Sequence, residues 1–287
     1  MRRKIKEEAG FEFGVSVYLW LAILVTLLPI WYVLMISLTP LKVSPSLIIA
    51  PWDWTIEAYR QLTNSPRFLR ATINTILITV LGVFISLIAT VLTAYPLSKP
   101  KLPGRNFFVF LALFVFLFNA GLIPSFLLVK DLGMLNTWWS LILPVAISVY
   151  NLFVVKAFFQ NLPPSLIEAA QIDGASEMQI LWRVVLPLST PILMTVGLFY
   201  AVGYWNEFFT AILYMSDKDL MPLSVFLRDV LSGAENAEFS EGNFYSTTSQ
   251  EGFKMAAVVL TMVPMLLVYP WIQRYFTKGV LLGGVKE

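Results

Sequence analysis

Residues Pro163 to Pro191 read PPSLIEAAQIDGASEMQILWRVVLPLSTP and lie between two long apolar runs. Pro163 and Pro164 end the first run, because proline cannot continue a helix from within. Ser165, with Glu168 three residues on, has the spacing of a capping box. Asp173-Gly174 then supplies a turn or C-cap. Ser176 and Gln179 repeat the S-x-x-Q pattern, so a second helix is predicted to start at once and to end or kink at Pro187. The local prediction is two short helices joined at Gly174. The first carries Leu166, Ile167, Ala169, Ala170 and Ile172, and its two alanines allow another backbone to approach closely. An apolar helix on such a loop is either a docking surface or a helix lying on lipid headgroups.

The composition around this stretch fixes the class. Of 287 residues, 57% are hydrophobic and 13% charged, with a mean hydropathy of +0.73. That balance belongs to an all-α membrane protein. There are no cysteines and no histidines. The usual metal ligands and the usual general base at neutral pH are therefore missing, and no metal or cofactor is expected. A net charge of +2 gives no case for nucleic acid. No G-x-x-x-x-G-K-[ST] loop occurs, so an ATPase driving this protein would be a separate polypeptide. No catalytic constellation is visible, and a non-catalytic protein is expected.

Six membrane spans are predicted, over residues 15–38, 71–97, 107–129, 138–159, 188–215 and 253–276. The basic start at 1–14 precedes a run too long for a signal peptide, and no A-x-A site follows it. Pro29 lies inside the first span and is a candidate kink. Residues 39–70 form a polar and aromatic loop with Trp52 and Trp54, as expected at a membrane interface. A short basic loop holds Lys99, Lys101 and Arg105, and a short turn covers 130–137. The 163–187 stretch connects spans four and five. An acidic loop covers 216–252, and a tail follows from 277 to 287.

Charge orients the chain. With both termini inside, twelve of the twenty basic residues fall in inner segments: Arg2, Arg3, Lys4, Lys6, Lys99, Lys101, Arg105, Lys156, Arg183, Arg274, Lys278 and Lys286. This follows the positive-inside rule and places 163–187 in the cytoplasm. Arg67 and Arg70, on the outer side beside span two, run against it.

The spans hold essentially one acid, Glu207. An ionisable group inside a span points to a translocation path. The competing reading is a carboxylate roughly 12 Å from the end of a straight helix and solvated there. Rings stack on the apolar face of a pyranose, while amides and carboxylates bond its hydroxyls. Asn119, Tyr150, Asn151, Tyr204, Trp205, Asn206 and Glu207 are the candidates to line such a path, against the plainer reading that each packs inside the bundle. A carrier driven by protons or sodium would need more buried acids or matched broken helices, and neither is apparent.

Glu168-Ala169-Ala170, Gly174, Val184, Leu186 and Pro187 resemble the E-A-A-x3-G-x9-I-x-L-P motif of ATP-binding-cassette importer permeases, with valine in place of the preferred isoleucine. Trp205-Asn206-Glu207-Phe208 resembles the W-N-x-F stretch of sugar-importer permeases. Lys278-Gly279 through Val285-Lys286 resembles the K-G-x-x-x-G-x-V-K ending of the carbohydrate-uptake, maltose-type (MetI-like) members. The resemblance covers nearly the whole chain. It implies that Ser165, Glu168, Ala169, Ala170, Asp173 and Gly174 belong to a coupling helix that docks on an ATPase. It gives Glu168 a second possible role beside its cap, a salt bridge to an arginine of that ATPase. The implied assembly is this chain, a second homologous permease, two ATPase subunits and an extracytoplasmic solute-binding protein delivering an oligosaccharide. The tail would reach the ATPase interface, and loop 216–252 would face the binding protein. Within the class, a permease for a peptide or an ion is the alternative.

Overall fold

The computed structural model describes residues 2–40, 53–118, 120–233 and 249–284, with side chains from 12 to 268 within those limits and at 270. Asn119, Trp52, part of the acidic loop (234–248) and Val285 to Glu287 lie outside the described residues. Helices account for nearly all of what is described. They are α1 (Arg2–Ser37), α2 (Glu57–Asn64), α3 (Pro66–Ser98), α4 (Arg105–Leu117) and α5 (Leu122–Asp131). Next come α6 (Trp139–Val145), α7 (Val149–Gln160), α8 (Pro164–Ile172) and α9 (Glu177–Leu188). The chain ends with α10 (Thr190–Trp205), α11 (Phe209–Tyr214), α12 (Leu223–Ser232) and α13 (Gln250–Gly284).

Among the described residues, three single helices are long and apolar enough to cross a membrane: Glu12–Ser37, Pro66–Ser98 and Gln250–Val268. Three pairs meet the same test only when joined: α4 with α5, α6 with α7, and α9 with α10. Three of the predicted spans are therefore not continuous helices, and residues 138–159 divide at 146–148, between α6 and α7. Residues 107–129 divide at 118–121, where Gly121 takes φ +87°. Residues 188–215 divide at 206–208 between α10 and α11. Pro29 is accommodated inside α1, which continues to Ser37. The acidic loop also holds a helix, α12.

The chain forms two compact units, Met1–Phe68 with Leu227–Val263 and Leu69–Phe226 with Pro264–Glu287. In the first, Met35, Ile36, Ala58, Leu62, Phe253 and Ala256 are buried. The Arg67 guanidinium donates to Asp229 at 3.3 Å, both side chains being largely buried. Most of α1 from Phe13 to Tyr32 exposes apolar side chains, as lipid solvent permits.

In the second unit a single core runs from Ile78, Val91 and Tyr95 through Leu141, Val155 and Phe159 to Val185, Val196, Tyr200 and Tyr204. Polar contacts gather at its two ends. At one end, Arg70 pairs with Asp219, and Asn74 Nδ2 donates to the carbonyls of Asp219 and Met221 at 2.8 and 3.1 Å. There too, Asn136 Oδ1 accepts from the backbone N–H groups of Ser216 and Asp217. At the other end lie the basic loop and the 163–187 segment. Arg67 and Arg70, the residues out of step with the charge pattern, thus each sit against an acid.

Candidate functional site

The 163–187 segment is a helix–turn–helix. Its α8 begins at Pro164, with Pro163 as N-cap and no side-chain capping bond. The expected Ser165–Glu168 capping box is therefore not formed. Pro164 lacks an N–H and has φ preset for the first helical position, so the helix starts before Ser165 and carries it into the first turn. The stop and restart follow the prediction. The N–H of Ala175 bonds the Ala170 carbonyl and that of Gly174 bonds the Gln171 carbonyl, both at 3.0 Å. These two bonds make a Schellman motif, and Gly174 holds its left-handed position at φ +77°. At Ser176 the predicted box is complete: its N–H donates to Gln179 Oε1 at 2.8 Å, and the Gln179 N–H donates to Ser176 Oγ at 3.4 Å.

The first helix has two faces. Ile167 and Ala170 pack against the core. Leu166, Ala169, Ile172 and Asp173 face outward, Ile172 being 86% exposed. Ser165, Glu168 and Gly174 are exposed as well. In the second helix, Ile180, Leu181 and Val185 are buried, while Met178 and Trp182 are exposed. Residues Leu181–Val185 form a π-turn, immediately before Pro187, whose missing N–H interrupts the regular ladder. The helix continues past Pro187 to Leu188, then bends by 81° into α10.

Glu177 anchors this segment to α3. Its Oε2 accepts from the Tyr95 hydroxyl at 2.5 Å and lies 3.1 Å from Lys99 Nζ. The Lys99 ammonium also sits 4.7 Å over the Tyr95 ring. The Tyr95 hydroxyl bond, helped by Lys99 and Gln171 and opposed by partial burial, holds the Glu177 carboxyl below the usual carboxylate range. A cavity of about 750 Å³ opens beside the anchor, lined among others by Lys99, Lys101, Glu168, Gln171 and Met178.

The second feature is an aromatic pocket of about 500 Å³, lined by Val145, Ser148, Tyr150, Asn151, Phe199, Tyr200, Gly203, Tyr204 and Glu207. Four of the seven path candidates meet there: Tyr150, Asn151, Tyr204 and Glu207. Trp205 is buried and does not line it. Asn206 is exposed, and its amide donates to the Val202 carbonyl at 2.9 Å. Asn119 is outside the described residues.

The pocket's tyrosines are fixed by hydroxyl pairs. Tyr204 Oη lies 2.8 Å from Ser86 Oγ, and Tyr200 Oη lies 2.7 Å from Thr90 Oγ1. The Ser148 N–H donates to Tyr200 Oη at 3.0 Å. Gly82 lets α3 pass close to Tyr204, for a Cβ there would fall 2.7 Å from its ring. Glu207 sits at the helix break and not inside a straight span. Its Oε1 accepts from the Thr210 N–H at 3.1 Å, in the first turn of α11.

Sequence reasoning missed Ser148, Phe199, Tyr200 and Gly203. The signal was present, because Tyr200 and Tyr204 are four apart and share a helix face with Gly203 and Glu207. Ser86 and Thr90 were also missed. Buried hydroxyls inside an apolar span are mostly hydrogen-bonded, and these two are paired with tyrosines.

Known proteins match this architecture end to end. Residues 58–282 match the family model described as the binding-protein-dependent transport system inner membrane component. A permease protein of the polygalacturonan/rhamnogalacturonan transport system, YtcP of Bacillus subtilis (strain 168), is 40% identical over 96% of this chain and 98% of its own length. Protein LplC of the same organism is 42% identical over 97% of this chain and 96% of its own. The crystal structure of a bacterial ABC transporter involved in import of the acidic polysaccharide alginate contains a chain with TM-score 0.88 and 34% identity. That match covers 94% of this chain and 98% of the other. The chain belongs to the family of binding-protein-dependent inner membrane transport components, and is a membrane-spanning transport permease.

Proposed function

We propose that this chain is the membrane-spanning subunit of an ATP-driven importer, and that it forms part of the path for an oligosaccharide delivered by an extracytoplasmic binding protein. The observation that carries the proposal is the exposed apolar face of α8 (Leu166, Ala169, Ile172), closed by the Schellman turn at Gly174 and followed at once by the capped start of α9, in a chain of this family. A face of that kind is suited to docking in a cleft of an ATPase. The implied complex contains a second homologous permease, two ATPase subunits and the binding protein. Both termini and the 163–187 segment lie in the cytoplasm, in keeping with the distribution of basic residues. Glu168, which does no capping, is left for an ion pair with a basic residue of the ATPase.

ATP binding closes the ATPase pair and moves the docked helix, and the spans rock with it from inward- to outward-facing. The aromatic pocket then offers rings for stacking on a sugar, with Asn151 and Glu207 to bond hydroxyls. Relatives named for galacturonan-type and alginate transport support a carbohydrate over a peptide or ion. The test is to purify the tagged chain in mild detergent from its own membranes and to identify partners by mass. Recovery of an ATPase and a second permease is the expected result. A chain that purifies alone, and still moves solute in vesicles without ATP, would overturn it.

A further inference from the structure

Helix α3 makes side-chain hydrogen bonds at three levels of the second unit. Thr75 Oγ1 accepts from the Leu223 N–H at 2.7 Å near one end. Ser86 and Thr90 hold Tyr204 and Tyr200 in the middle, at 2.8 and 2.7 Å. Tyr95 and Lys99 hold Glu177 at the other end. From Thr75 to Tyr95 the helix is roughly 30 Å long at 1.5 Å per residue, so one element touches both the 163–187 segment and the aromatic pocket.

We propose that Glu177 is a positioning residue for energy coupling. Clamped by Tyr95 and Lys99, it makes the 163–187 segment and α3 move as one body, so that displacement of the segment is delivered to the two pocket tyrosines. The inference rests on the reading that this segment docks on an ATPase. Three features favour a clamp over an incidental surface pair. Two donors of different chemistry converge on one carboxylate oxygen. The Lys99 cation is also held over the ring of the other donor. Tyr95 itself is buried and set edge-on against Phe159, centroids 6.3 Å apart, so its hydroxyl is aimed by packing. The clamp grips α9 ahead of the π-turn and the bend into α10, so α3 offers the segment a stiffer route than its own chain continuation.

The test uses the whole reconstituted complex, with this chain, which has no cysteine of its own, labelled before assembly. Spin labels at Leu92→Cys on α3 and Met178→Cys on α9 report whether the two helices separate. The expected distance distribution is the same in the nucleotide-free and ATP-bound states, and broadens in Glu177→Gln. Tyr95→Phe, which removes only the hydroxyl, should reproduce the effect if Glu177→Gln assembles poorly. In both variants the stimulated ATPase rate should fall about three- to tenfold. The concentration of loaded binding protein giving half-stimulation should stay unchanged, since that partner binds elsewhere. A distance that changes between nucleotide states in the unsubstituted background would overturn the clamp, and so would variants with wild-type stimulation. Ala169→Arg in the same assay separates the two readings. If it is harmless, the docking reading fails. If it is damaging while both clamp variants behave normally, only the clamp fails.

Discussion

The 163–187 segment and the aromatic pocket use polar side chains in opposite ways. In the segment, Ser176 and Gln179 satisfy the backbone, and apolar Ile172, Met178 and Trp182 are left exposed. In the pocket, Val145, Tyr150 and Phe199 keep apolar surface open, while the hydroxyls of Tyr200 and Tyr204 are turned back against Thr90 and Ser86. The segment is locally capped and incomplete at its surface, as the proposed docking role requires. The pocket is internally satisfied, so its rings are pre-positioned before anything enters. The difference separates how substitutions should act: in the segment through partners, in the pocket through internal order.

The largest effect is expected from Ala169→Arg, which places a long charged chain on the proposed docking face of α8. It should release the ATPase from the purified complex and lower transport at least about tenfold, while thermal stability of the chain itself stays near wild type. Pull-down and melting of the same preparation check both halves. A large fall in melting temperature would mean that the outer face of α8 is structural, and the contrast would break.

Tyr200→Phe should do the reverse. It strands the Ser148 N–H and the Thr90 hydroxyl, and a buried unsatisfied group costs about 1–3 kcal/mol. A lowered melting temperature with full ATPase recovery is expected, read by thermal unfolding in detergent. Gly174→Ala comes next. Its left-handed backbone disfavours a Cβ by about 1–2 kcal/mol, so coupling should weaken severalfold with the complex still assembled, as measured by stimulated ATPase.

The smallest effect is a pH dependence. The Glu177 carboxyl is held below its ordinary value, so its contribution is present above that value and is lost as pH falls through the lowered one. The stability difference between wild type and Glu177→Gln should be flat from neutral pH to about pH 5 and disappear below the ordinary carboxylate range near pH 4. With the side chain 60% exposed, the difference is small.

Much of this was legible from residue spacing. The Gly174 stop and the Ser176–Gln179 restart are encoded within four residues each, and local chemistry decided them. Ser165–Glu168 has the same spacing and failed because Pro164 had already fixed the helix start. The break at 206–208 was not legible, for Trp205 to Phe208 contains neither glycine nor proline. It is seen only through what completes it: Glu207 Oε1 accepting from the Thr210 N–H, and the Ser224 hydroxyl bonding the Glu207 carbonyl. Half of the pocket was missed for a related reason. Periodicity marked the α10 stripe, but the pairing of Tyr200 and Tyr204 with Thr90 and Ser86 joins residues more than a hundred positions apart, which no local pattern carries.

The most direct test of the central claim is ATP hydrolysis by the complex reconstituted in lipid, measured with its binding protein empty and then loaded with oligosaccharides. The account predicts stimulation by the loaded protein that Ala169→Arg abolishes. Hydrolysis indifferent to any loaded binding protein, or stimulation that survives Ala169→Arg intact, would contradict it.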